Sequence, residues 1–140
     1  MGLGIDRCNC NVLRKAARRI SQFYDERLAP AGLRITQYTM LAALYELREL
    51  SVNELARHLD LDRTTTGKNL RPLEDAKLVR IAPSSADRRA RKISLTSKGL
   101  AVLKAATPLW REAQRQFEES NGRELSKQLR ALLAALAIAH

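Results

Sequence analysis

Between Arg88 and Lys92 the chain places four cations in five positions, RRARK, with Asp87 immediately before them. Like charges held this close on one short stretch repel each other unless a counter-surface is at hand. The chemistry on offer is attraction to a polyanion: guanidinium forks match phosphate oxygens, and neutralising phosphates releases condensed counterions. A narrow minor groove, with its enhanced negative potential, would attract the same groups. A second set lies in RTTTGKNLR, namely Arg63, Thr64, Thr65, Thr66, Lys68, Asn69 and Arg71. Lysine reaches guanine acceptors and asparagine bonds adenine, whereas threonine hydroxyls near a helix start suit phosphate. A third set is thiol chemistry, from Cys8 and Cys10 in CNC.

The charge is localised. Of a net +10 over 140 residues, residues 63–98 hold ten Lys or Arg against three acids, while residues 1–62 hold nine against eight. A diffuse excess would suit a solvated face; concentration in one segment favours a nucleic-acid partner. Other classes find little support. Two histidines, no Gly-rich phosphate loop and no Ser-His-Asp set leave an enzyme without machinery, and neither a metal nor a cofactor is expected. No apolar run reaches the roughly 18–20 residues of a membrane helix. MGLGIDRCNC lacks the apolar stretch of a signal peptide, so the expected location is the cytoplasm.

These residues need elements to carry them. Apolar residues recur at helical spacing in 11–29, where Leu13, Ala16, Ala17, Ile20, Phe23, Tyr24 and Leu28 share a period. A second helix follows Thr36 as its cap, with Tyr38, Leu41, Leu44, Tyr45 and Leu47 in repeat. Ser51 and Glu54 form a capping box for the third. Three residues later Asp62 caps the fourth, Arg63 to Lys77, in which Gly67 and Pro72 predict a bend or a close backbone approach. Two short helices on so tight a turn read as a helix-turn-helix. LVRIAP (78–83) and RKISLT (91–96) read as a hairpin joined by seven residues that include Arg88 and Arg89, with Asp87 orienting Arg89 by an ion pair. Thr96 caps a long fifth helix with a kink at Pro108. Asn121 and Glu124 start a sixth, whose Leu125, Leu129, Leu132, Leu133 and Leu136 suit a partner helix.

The fold class is therefore mainly α: a winged helix-turn-helix with a β-hairpin wing, plus N- and C-terminal helices for dimerisation. The expected organisation is a dimerisation helix at 1–34, a winged lobe at 35–98 and dimerisation helices at 99–140. NELARHLDLDRTTTGKNLRPLEDAKLV and DRRARKISLTSKG, with its D-R-R…L-T-x-x-G pattern, resemble the MarR family of winged-helix transcriptional regulators over about residues 10–138. The resemblance implies a homodimer that binds palindromic promoter sites in double-stranded DNA, usually as a repressor. It implies Arg63–Lys77 in the major groove and Arg89 at the minor groove, with Arg88 and Arg91 beside it. The first, fifth and sixth helices would bury their apolar faces in the dimer and set two recognition helices about 34 Å apart.

Within that family, C…R…Y…L…GL…QY is similar to the organic-hydroperoxide sensors of the OhrR type, with Cys10, Arg18, Tyr24, Leu28, Gly32-Leu33 and Gln37-Tyr38 in register. That likeness implies a reactive Cys10 bonded by Tyr24, with Cys8 as its partner on oxidation; Ile35 replaces a second tyrosine of those sensors. The alternatives are two plain thiols at a helix end, or release by a small lipophilic anion in a cleft served by Arg14, Arg18 and Tyr38.

Overall fold

The computed structural model describes residues 2–84 and 86–138. Among these residues the elements run α1 (Asn9–Leu28), α2 (Ile35–Leu47), α3 (Val52–His58), α4 (Arg63–Asp75), β1 (Val79–Pro83), β2 (Arg91–Leu95), α5 (Ser97–Asn121) and α6 (Arg123–Ala134). The strands pair antiparallel, Val79 opposite Leu95 through Pro83 opposite Arg91. Leu50 adds a one-residue third strand: its N–H donates to Ile93 O at 3.1 Å, and the Ile93 N–H returns to Leu50 O at 2.6 Å. No helix among the described residues is long and apolar enough to cross a membrane.

One core holds the winged lobe to the long helices. Tyr38, Met40, Leu41, Ala43 and Leu44 of α2 are all buried, because α2 is packed by α1, α3, α4, β2 and α5 rather than lying on a surface. A helix surrounded in this way is apolar on more than one face. Its last turn leaves the core, so Tyr45 and Leu47 are exposed despite fitting the repeat. Leu55, Leu70, Leu73, Ile93 and Ala106 are among the fully buried residues of α3, α4, β2 and α5.

Caps that are local in sequence form as expected. Ser51 Oγ accepts the Glu54 N–H at 3.1 Å while Glu54 Oε1 accepts the Ser51 N–H at 3.4 Å. Asp62 Oδ1 accepts the Thr65 N–H at 2.6 Å, and Thr96 Oγ1 accepts the Gly99 N–H at 2.9 Å. Two assignments change. Thr36 lies inside α2, which starts earlier because Asp25 Oδ1 of α1 accepts the Ile35 N–H at 2.7 Å and Gln37 Oε1 accepts the Arg34 N–H at 2.9 Å. Asn121 ends α5 instead of starting α6; Gly122, at φ 89°, makes the turn and serves as N-cap. That conformation favours glycine. α5 continues through Pro108 without interruption.

Candidate nucleic-acid interface

On α4, Thr64, Lys68 and Arg71 recur at i, i+4 and i+7, so they share one exposed stripe. Arg63 is exposed at the helix start, and Asn69 and Thr65 are half-buried at the stripe's edge. Thr66 does not belong with them. It is fully buried, and its hydroxyl donates to Asp62 O at 2.8 Å, because its position one helical step on turns it toward the core. Thr65 gives its single hydroxyl proton to Asp62 Oδ2 at 3.0 Å, which leaves it only acceptor capacity toward a ligand. The bonds from the Thr65 N–H and hydroxyl hold the Asp62 carboxyl below its usual range. A charged Asp62 at the positive end of α4 is favourable in turn.

Gly67 faces open space, so the close backbone approach is absent. Pro72 is absorbed as well: α4 continues to Asp75, and the Ala76 N–H donates to Pro72 O at 3.0 Å. Lys68 and Pro72 lie on the exposed side, where water can satisfy the Lys68 carbonyl that proline leaves without a donor. Lys77, at φ 61°, stands beyond the helix end.

The wing loop is pinned at its base. The Ser84 N–H donates to Ala90 O at 2.7 Å, and the Ala90 N–H donates to Asp87 O at 3.1 Å. Asp87 Oδ1 accepts the backbone N–H of Arg89 at 2.9 Å, so Asp87 orders the turn and makes no ion pair with the Arg89 guanidinium. This is the Asx turn that short acidic side chains form two residues ahead. Arg88, Arg89 and Arg91 are exposed, and among the described residues none has a carboxylate within salt-bridge distance. The fourth cation differs. Lys92 Nζ lies 2.7 Å from Glu54 Oε1, a contact that sequence reasoning missed because the partners are 38 residues apart.

The end of the wing is clamped to the end of α4. Thr96 Oγ1 donates to Lys77 O at 2.6 Å, and Lys98 Nζ donates to Ala76 O at 3.0 Å. Gly99 packs so tightly on this corner that a Cβ would overlap the carbonyl oxygen of Leu78. The L-T-x-x-G pattern is thus a joint: threonine caps α5 and ties down the α4–β1 turn, and glycine lets the two backbones meet.

The MarR family's sequence model matches residues 31–90, which span α2 to the wing tip. The repressor Rv2887 of Mycobacterium tuberculosis is 31% identical over 113 residues, 81% of each chain. The chain belongs to the MarR family. Another relative, the repressor NicR of Pseudomonas putida, is 29% identical over 102 residues, 73% of this chain and 65% of NicR. The chain thus spans less than two thirds of NicR's length. Among solved structures, the regulator MosR of M. tuberculosis in complex with DNA superposes at a TM-score of 0.75 with 35% identity, covering 94% of this chain and all of MosR. The relatives matched are transcriptional regulators, not enzymes.

Cys10 and Tyr24, by which this MarR-family chain resembles the peroxide sensors, lie at separate places along α1. Cys8 and Cys10 are free and exposed at the start of α1, where Cys8 is the N-cap and its Sγ accepts the Asn11 N–H at 3.4 Å. Tyr24 does not bond a cysteine. It lies four turns along α1, and its hydroxyl donates to Gln114 Oε1 of α5. Burial, and secondarily the Glu118 charge, raise the Tyr24 pKa, so the phenol stays protonated as a donor. Nearby, Arg27 lies 3.5 Å from the Phe23 ring centroid and donates through Nε to Gln116 Oε1 at 2.6 Å, which fastens α1 to α5 again.

Nor do Arg14, Arg18 and Tyr38 converge. Arg18 lies with Lys15, Arg19 and Asp25 on an open concavity of α1, and Arg14 is exposed on the same helix. Tyr38 lines a different cavity of about 420 Å³ between α2 and α5, with Trp110, Thr107, Lys104 and Arg111. There the Tyr38 and Trp110 rings stack at 5.8 Å, and the Tyr38 hydroxyl donates to Thr107 Oγ1 at 3.1 Å.

Proposed function

We propose that this protein is a homodimeric transcriptional regulator that binds double-stranded palindromic promoter DNA and acts as a repressor. α4 would enter the major groove with Thr64, Lys68, Asn69 and Arg71, and Arg89 would enter the minor groove with Arg88 and Arg91 on flanking phosphate. The observation that carries this reading is three guanidiniums at the pinned wing turn and the start of β2 that have no carboxylate partner among the described residues, beside an exposed polar and cationic stripe of α4. Such charge is held apart from any internal partner and is stabilised when phosphate is the counter-surface. MosR, a relative with the same fold, has been solved with DNA, and NicR and Rv2887 are named as repressors.

A dimer is supported by an apolar groove between α1, α5 and α6, lined by Leu13, Ile20, Phe23, Phe117, Leu129 and Leu133. Leu125, Leu132 and Leu136 are also exposed along α6. An apolar surface of this extent suits a partner copy better than water. The domain division remains as read from the sequence: 1–34 and 99–140 for dimerisation, 35–98 for DNA.

For the releasing signal, the cavity at Tyr38 favours a small aromatic anion stacked near Trp110, with Lys104 and Arg111 replacing Arg14 and Arg18 as its cationic partners. A second reading, oxidation of Cys8 and Cys10 by hydroperoxide, is favoured by their exposure together at the start of α1. Release by a phenolic acid that persists in Cys10→Ser selects the cavity, while release by hydroperoxide that disappears in Cys10→Ser selects the thiols. The test of the main reading is selection of bound fragments from a random duplex pool. Recovered sequences should share a two-fold symmetric motif with half-sites about one helical turn apart; recovery without any enriched motif would contradict it.

A further inference from the structure

We propose that Lys92 is a positioning residue, not a DNA contact: paired with Glu54, it fixes the stance of the wing relative to the helix-turn-helix. The inference rests on the DNA-binding reading above and specifies how its two contact elements are held in register.

Along β2 the wing meets the start of the helix-turn-helix at two places, Leu50 just ahead of α3 and Glu54 within it. The first is the backbone bridge between Leu50 and Ile93. The second is the charged bond one residue along β2 and one turn into α3, Lys92 Nζ to Glu54 Oε1 at 2.7 Å. The base of the hairpin is already clamped at Thr96–Gly99, and the backbone bridge and the charged bond displaced from it add two attachments that limit its tilt against α3. α3 passes this constraint to α4 because the connection is short and bonded, with the Leu61 N–H donating to Ala56 O at 2.8 Å. Lys92 is thus linked to the recognition helix without lying on it.

The same oxygen of Glu54 accepts the Ser51 N–H, so the carboxylate is held by the capping box before it meets the lysine. These bonds, the one from Lys92 foremost, hold the Glu54 carboxyl at about 2, so it is charged wherever the protein would operate. Lys92 is also less exposed than its neighbours: its side chain is 27% exposed, whereas Arg88, Arg89 and Arg91 stand in solvent. Among the four cations at 88–92, it alone has an acidic partner among the described residues. For Lys92 to bind phosphate it would have to abandon that partner.

Positioning and contact give opposite signs for one substitution. Glu54→Gln removes a negative charge from the DNA-binding lobe and keeps an N3 acceptor for the capping box. If Lys92 contacts phosphate and Glu54 merely competes, this change frees the lysine and tightens binding. If the pair positions the wing, the change weakens binding. The experiment measures duplex affinity against salt for the full-length protein, Glu54→Gln, Lys92→Met and the double variant, with hydrogen exchange of each DNA-free protein. The expected results are roughly three- to fivefold weaker binding for either single variant, with no further loss in the double variant. The salt slope should stay at the wild-type value, and exchange should quicken in β1, β2 and Leu50 alone.

Tighter binding by Glu54→Gln, or a slope lower by about one for Lys92→Met, would overturn the proposal. So would unchanged wing exchange, or faster exchange spread through the whole chain. If wild-type protein shows no salt-dependent duplex binding, the functional reading falls. Local wing exchange then still decides whether the Lys92–Glu54 pair holds the wing.

Discussion

At the residue scale, the side chains whose partners lie within a turn were legible, and those with distant partners were not. Ser51, Asp62 and Thr96 cap their helices because a cap acts three residues ahead. Thr36 has the right chemistry, but Asp25 on another helix supplies the acceptor. Tyr24 meets Gln114 and Lys92 meets Glu54 across 90 and 38 residues, pairings that periodicity does not encode. Thr66 shows how chemistry alone misleads: three successive threonines resemble a contact surface, yet helical rotation buries the third. Thr66→Val should therefore lower folding stability by about 1 kcal/mol, the typical net value of such a hydrogen bond. The salt slope of DNA binding should not move. Urea unfolding and salt titration of the variant check both halves, and a changed slope would return Thr66 to the DNA surface.

At the element scale, the presence and order of the helices and the hairpin followed from apolar period and turn chemistry, whereas several boundaries and the attachment of one element to another depend on contacts distant in sequence. The joint at Thr96–Gly99 is the clearest case. Sequence reading marked the threonine as a cap, but only the structure places the glycine against Leu78 O. Gly99→Ala should destabilise the fold by roughly 1–3 kcal/mol, the usual range for overpacking, because the obstructing atom is backbone and cannot rotate aside. A melting temperature equal to wild type would show that the corner can open to admit a methyl group.

The attachment of wing to α3 carries a pH signature. Glu54 titrates at about 2 in the folded chain, against an ordinary value of 4.5. A depressed carboxyl pKa contributes stability above the unfolded value and loses it as pH falls toward the folded one. The stability difference between wild type and Glu54→Gln should therefore be constant above about pH 5 and shrink between about pH 4.5 and 2. Urea midpoints across that range measure it; a difference independent of pH would mean that the charge of Glu54 contributes nothing.

At the scale of the whole molecule, the winged-helix architecture was readable because each level of the sequence agrees with the others: amphipathic periods, caps and a turn-bounded hairpin. The exposed leucines of α6 extend that reading beyond one chain. Leu133→Glu places a charge in the groove between α1 and α5, so sedimentation should shift from about twice 15.7 kDa toward the single chain mass. Affinity for a palindrome should then fall toward that for a half-site. An unchanged mass would locate the partner surface elsewhere.

The central claim is that the cations of the wing tip and α4 are organised for nucleic acid. Its most direct measurement is the salt dependence of duplex affinity for the intact protein and for Arg89→Ala. Six exposed cations per chain, Arg63, Lys68, Arg71, Arg88, Arg89 and Arg91, become twelve in a dimer. With half of them on phosphate, log affinity should fall against log salt with a slope of about −5, and Arg89→Ala should reduce its steepness by at least about one. A wild-type slope near zero, or an affinity indifferent to the loss of Arg89, would contradict the claim.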